Sequence, residues 1–149
     1  MNPQRFLDDF ILGERFTTSG VTFTEAQIIE FAFKYDPQPL HLDVRAADES
    51  IYGGLIASGF QTLALCFRLF IQSGFIRDAS LGSPGIDELC WLAPVRPGDI
   101  LHSEVDVLEV KPSRSKPDRG ICRMRYEAIN QQEDIVLRFI VNHFLLRRS

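Results

Sequence analysis

Residues 59–73 read GFQTLALCFRLFIQS, and no other stretch restricts the fold as much. Set on a helix, Leu63, Leu65, Phe67, Leu69, Phe70 and Ile71 point in almost every direction, with only Gln61 and Arg68 as clear interruptions. A helix that is apolar all round is stable in water only when other structure wraps it. The run is too short to cross a bilayer, which takes about 20 apolar residues. A central helix in a soluble domain is therefore expected, and the rest of the chain must supply the wrapping.

The second half of the sequence is suited to do so. GIDELCWLAPV reads as a strand ended by Pro94 and the turn RPGD, ILHSEVDVLEV as a second, and KPSRSKPDRG as a polar loop. In ICRMRYEAI the residues Cys122, Met124, Tyr126 and Ala128 alternate with Arg123, Arg125 and Glu127, which gives one buried and one wet face. NQQED turns the chain into IVLRFIVNHFLL, a final strand long enough to be central. The first half is helical apart from a short strand over 15–23. Thr24 with Gln27 three residues on has the pattern of a capping box. Ile28, Ile29, Phe31, Ala32 and Tyr35 follow at helical spacing until Pro37 closes the helix at Asp36. DVRAADES predicts a short helix capped by Asp43, and Gly53 with Gly54 mark a turn. Helices followed by strands argue an α+β fold, an antiparallel sheet curled round one buried helix. The 149 residues make one domain, 1–149.

A formal charge of -4 gives no reason to expect nucleic acid as a partner. Cys66, Cys90 and Cys122 fall on apolar patterns without a CxxC pair, so buried free thiols in a reducing compartment are expected. The opening MNPQRFLDDFILGERF lacks the apolar run of a secretory signal. A cytoplasmic protein that is not bound to membranes is the expectation.

Chemistry concentrates in FKYDPQPLHLD. Pro37 and Pro39 fix two φ angles between Asp36 and His41, and the pre-proline restriction stiffens Asp36 further. Stiffness matters because misplacing a catalytic group by about 1 Å can cost roughly 100-fold in rate. A carboxylate and an imidazole facing one gap can hold a water, Asp36 accepting a proton while His41 orients the water or carries a proton onward. Burial would raise the pKa of Asp36 and lower that of His41, mutual attraction would oppose both, and the sequence leaves the balance open. A helix exit with an aspartate, two prolines and a backbone-bonded histidine is the plainer reading. IASGF then places Gly59 at the start of the central helix, where free amides and the positive dipole end favour negative charge. Such amides can form an oxyanion hole, or the glycines can serve only turning and close packing.

Taken together, FAFKYDPQPLHLD and YGGLIASGF resemble the MaoC-like dehydratases, a hotdog-fold group that includes the R-specific enoyl-CoA hydratases. Asp36 and His41 match that family's Asp-x4-His pair, Gly59 matches its oxyanion glycine, and RPGDIL resembles its turn between strands. Gln38 stands where the family usually has asparagine, and Ser58 where it often has histidine. Gln38 keeps an amide able to tie down the loop, and Ser58 can cap the helix. The resemblance implies reversible syn addition of water to a trans-2-enoyl thioester, giving an R-3-hydroxyacyl thioester. Asp36 and His41 would activate the water, while Gly59, with Ser58 and Gln38 beside it, would serve the thioester. It further implies acyl-CoA or an acyl carrier thioester as substrate, no metal or redox cofactor, and a homodimer or higher homo-oligomer. Two rivals stay open: hotdog thioester hydrolysis, and a non-catalytic acyl-CoA-binding subunit.

The remaining candidates are weaker. His102 and His143 lie in strands, and with three histidines in all and no further acid–histidine cluster a metal site is not expected. Lys111, Arg114, Lys116 and Arg119 make a basic loop that could meet CoA phosphates but reads more simply as a solvated loop. Trp91 reads as core or dimer packing, or as part of an acyl pocket.

Overall fold

The computed structural model describes residues 2–149. After a short 3-10 turn at Leu7–Asp9, the sheet opens with β1 (Arg15–Thr17) and β2 (Val21–Thr22). Three helices follow: α1 (Glu25–Tyr35), α2 (Pro39–Leu42) and α3 (Val44–Asp48). The central helix is α4 (Gly59–Ile71), and the remaining strands are β3 (Ile86–Trp91), β4 (Ile100–Pro112), β5 (Arg119–Ile129) and β6 (Ile135–Leu146). All pairings are antiparallel, in the order β1-β4-β5-β6-β3 with β2 alongside β4. The sheet curls over α4, and this is the hotdog arrangement. The expected strand over 15–23 is in fact two strands, separated where residues 18–20 leave the sheet.

The alternation on β5 holds as read. Cys122, Met124, Tyr126 and Ala128 are wholly buried, and they face Cys66 and Phe70 of α4 within one core. Tyr126 stacks on Phe139 with ring centroids 4.8 Å apart, and its hydroxyl lies 2.7 Å from Nε2 of the buried His143. Ser103 of β4 donates its hydroxyl to the Cys66 carbonyl at 2.8 Å, fastening the helix to the sheet. Burial pushes the Cys66 and Cys122 thiols each up to about 12, which leaves them inert. Cys90 departs from expectation: it sits exposed on β3, at the end of the sheet, where among the described residues one strand edge has no partner.

The wrapping of α4 is also less complete than its composition requires. Gln61, Thr62, Cys66, Leu69 and Phe70 are buried. Phe60, Ala64 and Arg68, spaced four apart, form an exposed row along the other side. A single sheet covers one side of a helix, and among the described residues this row stays open to solvent.

Candidate active site

The loop that carries Asp36 and His41 is built by local rules. Thr24 caps α1 by accepting the Gln27 amide at 3.2 Å. The helix ends at Tyr35, and Asp36 leaves it at φ -153 and ψ 71, as a residue before proline must. Gln38 is then the N-cap of α2 and Pro39 its first residue, a position where the missing N–H costs nothing. This one-turn helix aims His41 inward until it is 6% exposed. The chain running into α4 locks it there. His41 Nδ1 lies 2.8 Å from the Ile56 carbonyl, Ile56 N donates to Leu40 O, and Ala57 N donates to Val95 O at the β3–β4 connection.

These bonds decide what the ring can do. A carbonyl can only accept, so Nδ1 carries a hydrogen and Nε2 is left as the exchanging nitrogen. Nε2 lies 3.3 Å from Oδ2 of Asp36. Oδ2 also accepts the Ser58 hydroxyl at 2.6 Å, and Oδ1 accepts the Gln38 side-chain amide at 2.7 Å. Burial works to raise the Asp36 pKa. The bonds from Ser58 and Gln38 and the attraction of His41 outweigh it, so the carboxyl lies below its usual value. The balance that the sequence left open thus falls toward the charged carboxylate.

Ser58 is fully buried and is the N-cap of α4, accepting the Phe60 amide at 3.3 Å while it holds Asp36. The next amide, Gln61 N, donates to Ser58 O. The Gly59 N–H has no acceptor among the described residues. It is the unspent donor of the first turn, at the positive end of the helix, and Gly59 lines the same pocket as Asp36 and His41. That pocket is open and about 480 Å³, with Tyr52, Ile56, Phe60 and Trp91 among its walls. The structure therefore brings together Asp36, His41, Gly59, Ser58 and Gln38, with Ser58 behind the carboxylate and outside the pocket lining.

Other candidates lie elsewhere. His102 Nε2 is 3.5 Å from Glu104 on β4, and His143 belongs to the core. The basic residues Lys111, Arg114, Lys116 and Arg119 line a separate groove of about 570 Å³ with Ile121 and Phe144. Trp91 pairs with Leu137, and Phe144 lies seven residues further along β6, about 23 Å away at strand spacing, so the loop does not join the pocket of its own chain. Among the described residues no three His, Cys, Asp or Glu side chains gather to hold a metal ion, and no helix is long and apolar enough to cross a membrane. Sequence reasoning missed the Ile56 carbonyl. Trp91, read there as core or dimer packing or as part of an acyl pocket, is half exposed and lines the pocket, so it is not core.

Known proteins are similar to this chain in sequence and fold. The family model of the MaoC like domain matches residues 10–127. The crystal structure of the MaoC-like dehydratase from Rhodospirillum rubrum superposes with a TM-score of 0.91 at 40% identity, over 97% of this chain and 99% of that one. Uncharacterized protein YdeM of Bacillus subtilis is 35% identical over 127 residues, which are 85% of this chain and 89% of that protein. Mesaconyl-CoA hydratase of Cereibacter sphaeroides is 29% identical over 143 residues, 93% of this chain but 40% of the enzyme.

Proposed function

The chain belongs to the MaoC-like domain family, and on that premise we propose that it is a hydratase that adds water reversibly to a trans-2-enoyl thioester, with CoA as the carrier. One observation carries the reading: the Asp36 carboxylate and the exchanging nitrogen of His41, 3.3 Å apart, open on the pocket that holds the unspent Gly59 amide. A water seated against Oδ2 of Asp36 and Nε2 of His41 gives its proton to the pair as its oxygen bonds to the β-carbon. The electrons of the double bond move through the α-carbon to the thioester oxygen, where the Gly59 N–H and the helix dipole stabilise the charge. The pair then returns a proton to the α-carbon. Both additions come from one face, so the addition is syn; the R configuration at the β-carbon is what the family resemblance implies, with the pair on the corresponding face of the double bond.

The competing chemistry, attack of the same water on the thioester carbonyl, would release a free thiol. A panel of enoyl-CoA esters separates the two. Loss of the conjugated absorbance without thiol release supports hydration, whereas thiol release with the double bond intact refutes it. Binding without turnover at any chain length would instead mark a non-catalytic acyl-CoA subunit.

We further infer a homodimer joined along β3. This strand has a free edge, and Ile86, Trp91 and Leu92 on or beside it are 46–50% exposed. A bare edge is completed by another strand, and a two-fold axis lets the same strand of a second copy do it. Light scattering that gives the mass of a single chain would reject this.

A further inference from the structure

We propose that Trp91 is a positioning residue for the Gly59 amide, and that position 59 is glycine because the indole occupies the place its side chain would take. The inference rests on the hydratase reading for its kinetic part and on geometry alone for the rest. Trp91 Nε1–H donates to the Gly59 carbonyl at 2.9 Å. A Cβ built on Gly59 would come within 2.5 Å of two indole atoms, a separation that nonbonded carbon never adopts. The Phe60 ring meets the indole edge-on at 6.0 Å and closes the other side.

The arrangement answers a physical difficulty. Glycine at the start of a helix is conformationally loose, and its interior cost against alanine is about 1 kcal/mol. Looseness is harmful where one amide must point at a developing charge, since such donors act by being fixed in advance. The indole supplies the missing restraint from outside the helix. Its N–H holds the carbonyl of the peptide after Gly59, and its ring covers the α-carbon, so rotation about the Gly59 backbone bonds is opposed from two directions. The Gly59 N–H is left as the open side of the residue. The place that a side chain at position 59 would take is thus filled by the protein's own indole, which is close packing at the glycine as well as an amide left open.

Trp91 is the sole tryptophan of the sequence, so one test needs no substrate. In Gly59→Ala the new methyl must displace the indole, and the fluorescence emission shifts to longer wavelength; unchanged emission would overturn the proposal. Trp91→Phe keeps a ring and removes the N–H. It should lower kcat for enoyl-CoA hydration about tenfold to a hundredfold with KM within about twofold. Wild-type kcat in that variant would remove the positioning role. Finally, Gly59→Ala and Trp91→Ala should be non-additive, the double variant losing much less than the product of the single losses. Multiplying losses would mean that the substrate, not the indole, requires glycine. If the wild-type protein hydrates no enoyl thioester, the functional reading falls while the emission test still decides the clamp.

Discussion

Ser58→Ala removes one hydroxyl that does two jobs, and its cost can be worked out from the site. The hydroxyl donates to Oδ2 of Asp36 at 2.6 Å and accepts the Phe60 amide at 3.3 Å. A bond to a charged group contributes about 1.5–3 kcal/mol, and an N-cap about 1 kcal/mol. The cap bond here is long, so the pair sums to about 2–4 kcal/mol. With Ser58 fully buried, bulk water cannot replace it. In a chain of this size each kcal/mol moves Tm by about 2–4 °C, so the variant should melt about 4–16 °C lower at pH 7. The sign with pH follows from the carboxyl. Its folded pKa is depressed, so its stabilisation is complete above the unfolded value near 3.8 and is lost as pH falls through the folded one. The Tm gap between wild type and variant is therefore full at neutral pH and narrows below about pH 4. Without Ser58 the Asp36 pKa rises, so the acid limb of the hydration profile moves to higher pH. Thermal melts at pH 7 and pH 3, with a pH–rate series, measure both effects. Equal melting at pH 7, or an acid limb that does not move, would refute the reasoning.

Three further outcomes are expected. Burial holds His143 down at about 4 in the folded protein against 6.5 unfolded, so stability falls as pH drops from about 6.5 toward 4; in His143→Gln the urea-measured loss between pH 7 and pH 4.5 should be smaller by about 2–3 kcal/mol, and an unchanged loss contradicts this. Tyr126→Phe leaves Nε2 of His143 without its partner at 2.7 Å and should cost about 1–3 kcal/mol while leaving kcat as it was, a split that melts and kinetics on one preparation can check. Gly120→Ala would push a methyl to 2.4 Å from the Lys111 carbonyl and 2.5 Å from Leu7, so at least about 1–3 kcal/mol should be lost; a Tm equal to wild type would show that the hairpin yields more easily than its strand pairing allows.

What could be read from the sequence was whatever local chemistry or periodicity decides. The Thr24 cap, the stop at Asp36 before Pro37, the Asp43 cap of α3 and the two-residue alternation on β5 each depend on neighbours a few positions away. The pairing of Asp36 with His41 was legible because the prolines between them leave the loop little freedom. Helix α2 escaped notice because four residues are too few to show a period, and its starting proline reads equally well as a loop. The bond from Ser58 to Asp36 joins positions 22 apart, and that of Trp91 to Gly59 positions 32 apart, so spacing carries no trace of either. Cys90 was misplaced because an apolar pattern looks the same on a central strand and on an unpartnered edge. The row Phe60, Ala64 and Arg68 on α4 stays exposed: composition says that a helix must be covered, and not that a single copy of the chain covers it.

The most direct test is the rate at which Asp36→Asn and His41→Ala consume the conjugated absorbance of an enoyl-CoA ester that the wild-type protein hydrates. Asparagine keeps the shape of Asp36 without its charge, and alanine removes Nε2 while melting curves establish that each variant is folded. A loss of about 100-fold to 10,000-fold in kcat for each, with no thiol released, is what shared handling of one water predicts. Full turnover in either folded variant would contradict it.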